Sequence, residues 1–152
     1  MIKINKILVP VDFSEGSALA LHYAATFASE YGAQIHLLNV IEDELMQPGT
    51  LSDTLDTAQK WEDQNKNLLE EFVPKEFDNL DIIKRVQSGL VYDSIIEYAR
   101  ENEVSLIIIG AHGKSGFIDS WLGGNSYEIA RKSPCAVLTV KPQARGFVEK
   151  GF

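Results

Sequence analysis

The residues of this 152-residue chain whose types and spacing could do chemistry are three sets of glycines. Gly110 follows the apolar run Leu106-Ile-Ile-Ile109, Gly113 comes three residues later, and Gly123-Gly124 follows after nine intervening positions. A strand that empties into a glycine-rich loop and then a helix gathers bare backbone N–H groups at a helix N-terminus, an arrangement that holds phosphate. His112 and Lys114 stand inside the loop. Either could meet phosphate oxygens, the lysine as a point charge, or be an ordinary exposed loop side chain. Asp12 ends a second apolar run, Ile7-Leu-Val-Pro-Val11. It has two readings: a ligand contact at the carboxyl end of a strand, or part of a helix cap, alone or with Ser14.

Two familiar phosphate loops do not fit. His112-Gly-Lys-Ser115 resembles the end of a Walker A loop, but the glycine required five residues before Gly113 is Ile108. After the first apolar run the chain reads Asp12-Phe-Ser-Glu-Gly-Ser17, not the G-x-G-x-x-G of a dinucleotide fingerprint. The same stretch lacks the S-G-G-x-D-S loop of ATP pyrophosphatases, and the H-x-G-H of nucleotidyl transferases is absent from the chain. No G-x-S-x-G elbow, H-E-x-x-H or kinase set occurs, and no residue stands out as a base that activates water. An enzyme reading reaches at most slow ATP hydrolysis.

The elements that must position these residues alternate. Ile7–Val11, Ile35–Val40, Ile82–Val86, Leu106–Ile109 and Cys135–Val140 read as strands. Helical spacing joins Ala18, Leu21, Ala24, Ala25 and Ala28, with Gly32 as a left-handed stop. A long second helix has Leu51, Leu55, Ala58, Trp61, Leu68, Leu69 and Phe72 on its apolar face and ends near Pro74. Val91–Arg100 supplies a third, and Ser126–Lys132 most of a last. Strands alternating with helices, with near-continuous apolar runs, predict an α/β fold, one doubly wound domain whose five-stranded, mainly parallel sheet carries helices on both faces; its strand order is taken as 3-2-1-4-5. The domain is expected over 1–141, followed by a frayed tail, 142–152.

Composition narrows the function classes. The chain is 45% hydrophobic and 24% charged, as ordinary globular proteins are. A formal charge of −8 opposes nucleic acid and anionic membrane partners. No run of eighteen apolar residues and no leader pattern is present, and the one cysteine, Cys135, excludes an internal disulfide. A cytoplasmic protein with Cys135 packed inside is expected. His22 and His36 lack metal-ligand spacing and read as structural, so no metal site is predicted.

The pattern Gly110-x-x-Gly113, nine residues, Gly123, with Val9-Pro-Val-Asp-Phe-Ser14 and Leu37-Leu-Asn-Val40, resembles the ATP-binding branch of the universal stress protein family (UspA-like), from Lys6 to Lys141. The resemblance implies a stress-response regulator that binds ATP, ADP or AMP, with or without Mg. Pro10, Asp12 and Val40 then fall at the adenine and ribose, while Gly110, Gly113 and Gly123 take the three glycine positions of the phosphate loop, with Gly124 at its fourth position; His112, Lys114 and Asn125 are candidates by their place in or beside that loop. It also implies a homodimer paired through strand 135–140; the tail folding back over that edge is the other cover, and no protein partner is specified. Gly124 departs from the family's Ser or Thr. Loss of a hydroxyl donor to a charged group, on the order of 1.5–3 kcal/mol, points to weaker binding unless Asn125 or Ser126 restores one. A second branch, which lacks the loop, leaves the alternative of a dimeric interaction module that binds no nucleotide.

Overall fold

The computed structural model describes the main chain of residues 1–42, 53–111 and 121–148, and the side chains of these except 53–57 and 121–126. In chain order the elements are β1 (Lys6–Pro10), α1 (Glu15–Tyr31), β2 (Gln34–Glu42), α2 (Asp53–Phe72), β3 (Ile82–Gly89), α3 (Val91–Glu101), β4 (Leu106–Gly110), α4 (Trp121–Lys132) and β5 (Ala136–Val140). Short 3-10 helices, Lys75–Phe77 and Pro142–Phe147, follow α2 and β5. All pairings are parallel and the sheet order is β3-β2-β1-β4-β5. The fold expected from the alternation is the fold observed.

Period-2 alternation sorts each central strand between two cores. Ile7, Val9, Ile35, Leu37 and Ile108 face Leu19, Ala20, Ala24 and Ala28 of α1 and Leu69 of α2. Leu8, Leu38, Val40, Ile107 and Ile109 face Val91, Ile95 and Ala99 of α3 and Ile129 of α4. Ile7, Leu8, Ile35, Leu37, Leu38, Ile107, Ile108 and Ile109 are fully buried, each contributing about 1.5–3 kcal/mol relative to exposure. Helix α1 begins where Ser14 caps it, its side chain accepting from Ser17 N–H at 3.2 Å. It ends at Gly32, which takes φ 66°.

Two expectations are corrected. Trp61 and Leu68 are 44% and 39% exposed, whereas Leu69 is 1% exposed. At about 100° per residue, Ala58 lies within about 20° of Leu69 and Phe72 about 60° to one side, while Trp61 and Leu68 fall some 80–100° to that same side, beyond the edge of the buried face. Leu51 and the side chain of Leu55 lie outside the described residues. The tail is not frayed up to Val148. Residues 142–147 form a 3-10 helix in which Tyr23 donates its hydroxyl to Ala144 O at 3.2 Å, and Ala144 and Val148 pack on the α1 core. The described tail thus packs on α1, in the cluster that also holds Leu138 and Val140 of β5, while Ala136 and Thr139 of β5 are exposed.

At the N-terminal half of β2, His36 is buried between Tyr98 and Gln34, with Nδ1 2.8 Å from Tyr98 Oη and Nε2 2.8 Å from Gln34 Oε1. Gln34 Nε2 donates to Asp81 Oδ2 at 2.7 Å, which leaves its Oε1 for the ring. Nε2 of His36 therefore carries the proton and Nδ1 accepts from Tyr98. Burial, then the cations Lys6 and Arg85, lower the His36 pKa against the pull of Asp81; burial also lowers His22, against Glu76. Below the unfolded value of about 6.5 the unfolded chain binds more protons, so folded stability is held at neutral pH and lost as pH falls through that value. The urea midpoint is expected to drop between pH 7.5 and 5.5, and to drop less in His36→Gln; an equal drop in both proteins would contradict this.

Candidate functional site

In this strand order the chain leaves β1 toward β2 on one side and reaches β4 on the other, so the crevice at the carboxyl ends of β1 and β4 is the topological switch point. Its opening is chemical. Ser105 N–H donates to Lys6 O, so even-numbered residues of β1 turn their main chain toward β4. Pro10 is even-numbered and has no N–H. The β1–β4 pairing accordingly stops at Ile7↔Leu106 and Leu8↔Ile107, whereas β1–β2 runs on to Pro10↔Leu38. Pro10 is itself buried, and its ring and missing donor part the two strands.

Above Pro10, Val11 N–H donates to Leu38 O at 2.8 Å, and then Phe13, at φ 62°, turns the chain off the sheet. A non-glycine residue in the left-handed region is strained, and this one is held by an edge-to-face contact with Phe72, ring centroids 5.8 Å apart. Asp12 stands between these two residues, half-buried. Its Oδ1 accepts from Ser14 N–H at 3.0 Å and from the Ser14 hydroxyl. The cap of α1 is thus Ser14, and Asp12 braces the cap from behind. Both readings of Asp12 meet here: it supports the helix start and lies at the mouth of the crevice.

Gly110 closes β4 and is buried. A Cβ on it would lie 2.3 Å from the carbonyl carbon and oxygen of Gly16, and one on Gly16 would lie 3.2 Å from Ala111 O. The first turn of α1 therefore rests directly on the exit of β4, which accounts for a glycine at 110 by packing alone. Sequence reasoning missed Gly16, because a glycine in a first helical turn carries no pattern until its neighbour across the sheet is known. Ala111 N–H donates to Val140 O at 2.7 Å, fixing where the chain leaves β4. His112, Gly113 and Lys114 lie outside the described residues.

Helix α4 starts at Trp121, and the stretch Ser126–Lys132 expected to form most of it is its C-terminal part. Gly123, Gly124 and Asn125 are its third, fourth and fifth residues. The first four N–H groups of a helix, counted from the cap residue, have no partner within it, so the amide of Gly123, the third helical residue, is a donor available at the helix start, whereas Gly124 and Asn125 lie inside the ladder, as the fourth residues Ala18 and Ser94 do in α1 and α3. Glycines cost about 1 kcal/mol each in a helix interior, which hid this turn from the sequence pattern. Ile129, fully buried, seats α4 on the same face as Val40. The Val40 side chain is 3% exposed and packs in that core. Among the described residues, no group of three or more His, Cys, Asp or Glu could hold a metal ion, and no helix is long and apolar enough to cross a membrane. Cys135 is half-buried, with its thiol pKa raised by burial.

Fold and crevice together define a doubly wound α/β domain whose switch point lies between β1 and β4. The profile of the universal stress protein family matches residues 3–141, and the chain belongs to that family. It is 30% identical over 146 residues to the universal stress protein YxiE of Bacillus subtilis, covering 90% of this chain and 99% of that one. It is 29% identical over 153 residues to the universal stress protein MJ0577 of Methanocaldococcus jannaschii, covering 90% and 94%. The solved structure of MJ0577 superposes with a TM-score of 0.76 at 27% identity, covering 92% of this chain and 97% of that one. A universal stress protein of Archaeoglobus fulgidus solved in complex with dAMP superposes with a TM-score of 0.56 at 16% identity, covering 93% and 100%, and carries the likeness of fold.

Gly110→Ala is expected to lower stability by more than about 2 kcal/mol, since the α1 backbone must move to admit the methyl group. Urea denaturation measures it, and a change under about 0.5 kcal/mol would show that the contact yields freely.

Proposed function

We propose that this chain is a cytoplasmic stress-response regulator that binds ATP or another adenosine nucleotide in the crevice between β1 and β4. The observation that carries the reading is the end of the β1–β4 pairing at Leu8, with α4, whose first turn contains Gly123 and Gly124, packed beside β4. Main-chain donors with little side chain over them, at the positive end of a helix dipole, suit the phosphates. The purine and ribose would take the apolar floor near Pro10 and Val40, with Asp12 at the rim. The family resemblance adds Gly113 to the phosphate side and supplies the stress role, and His112 and Lys114, inside the same loop, are further candidates for the phosphate oxygens. The dAMP complex of the A. fulgidus protein is a precedent in the same fold.

Magnesium, when bound with a triphosphate, would supply charge neutralisation between phosphate oxygens, with Asp12 the nearest acidic residue of the crevice in the sequence. With no water-activating base identified, hydrolysis is at most slow. The strand 135–140, at the sheet edge with Ala136 and Thr139 exposed, is the surface proposed for pairing two copies.

One observation favours the second reading, an interaction module without nucleotide: Gly124 has no hydroxyl to offer. Native mass spectrometry of the freshly purified protein, with and without Mg-ATP, separates them. A dimer carrying one nucleotide per subunit is expected. Dimers that stay bare at millimolar Mg-ATP would leave the interaction module. Gly124→Ser is expected to tighten binding about tenfold, from one added hydrogen bond to a charged group; unchanged affinity would remove the hydroxyl from the account.

A further inference from the structure

Asn39 lies within β2 with 4% of its surface exposed, and its side chain is only half satisfied. Nδ2 donates to Val11 O at 2.8 Å, while Oδ1 has no hydrogen-bond partner. The amide cannot be reversed, because a carbonyl only accepts. A buried acceptor with no donor is destabilising, and leucine, of similar size, would fill this apolar position without it. Asn39 therefore does something a leucine would not.

The register shows what. Even-numbered residues of β2 turn their main chain toward β1: Gln34 N–H donates to Asn5 O, and Leu38 O accepts from Val11 N–H. Ile35 N–H, by contrast, donates away from β1 to Asp81 O. The next step of this parallel ladder would run from Val40 N–H to Val11 O. Among the described residues that bond is not formed, and Val11 O accepts from the Asn39 side chain. The step after it, from Phe13 N–H to Val40 O, is also not formed, because Phe13 turns away at φ 62°.

We infer that Asn39 is a positioning residue whose side-chain amide occupies the Val11 carbonyl, stops the β1–β2 ladder there, and keeps the main-chain N–H and C=O of Val40 turned toward the crevice beside Asp12. A donor and an acceptor side by side on one strand suit a planar ligand edge that carries an acceptor next to a donor. That functional half rests on the nucleotide reading. The structural half does not.

Two variants test it. Asn39→Leu removes the donor together with the orphaned acceptor, and Asn39→His restores an N–H on a ring of similar reach. In ligand-free protein, Val40 amide exchange is expected to be about tenfold or more faster than that of Leu38, and to slow by a similar factor in Asn39→Leu as Val40 closes onto Val11 O. Asn39→Leu should keep or raise the urea midpoint while losing about tenfold in Mg-ATP affinity, and Asn39→His should recover wild-type exchange and affinity. Unchanged Val40 exchange in Asn39→Leu, or a urea midpoint that falls along with affinity, would overturn the inference. Wild-type protein that binds no Mg-ATP would defeat the nucleotide reading, and the exchange comparison would still decide the role of Asn39.

Discussion

The carboxyl end of β1 is where this sheet stops pairing, and everything else about the candidate site depends on that. A parallel sheet buried on both faces satisfies its backbone by continuous ladders, so a crevice in it needs specific residues that decline to pair. On the β4 side the reason is a missing proton, that of Pro10. On the β2 side it is a left-handed turn at Phe13 together with the capture of Val11 O by Asn39. Asp12, placed between these two breaks, is held by Ser14, and Ser14 in turn starts α1. One short segment, 10–14, thus opens the sheet, presents a carboxylate and begins a helix.

The second constraint is contact between backbones. Gly16 and Gly110 let the first turn of α1 lie against the end of β4 at a distance that admits no side chain. That contact sets the height at which the chain leaves β4, and Ile129 sets where α4 comes back over the sheet. The rigid parts of the domain therefore fix both ends of the glycine-rich connection. Alternating burial along the strands places α1 and α2 over one core and α3 and α4 over the other, so the crevice is walled from both faces.

Strand identity and order were legible because the apolar runs are long relative to the turns between them, and because right-handed crossovers leave few topologies. Gly32 was legible as a helix stop for the same local reason. Trp61 and Leu68 were not placed correctly, since large apolar residues beside a buried stripe look like part of it until the helix phase is fixed by Leu69. The start of α4 was hidden by two glycines whose local preference opposes the helix they begin. Gly16 and Asn39 were invisible because their roles lie in contacts with residues some 28 to 94 positions away. Those are tertiary facts with no counterpart in local spacing.

The account comes down to whether the unpaired backbone around the end of β1 and the start of α4 receives a ligand. Amide chemical-shift mapping during a titration with Mg-ATP tests this residue by residue. The account predicts saturable shifts concentrated at Val40, Ser14, Gly123 and Gly124, with α2 and β3 unmoved. Saturating shifts confined to some other surface, or none at millimolar nucleotide, would contradict it.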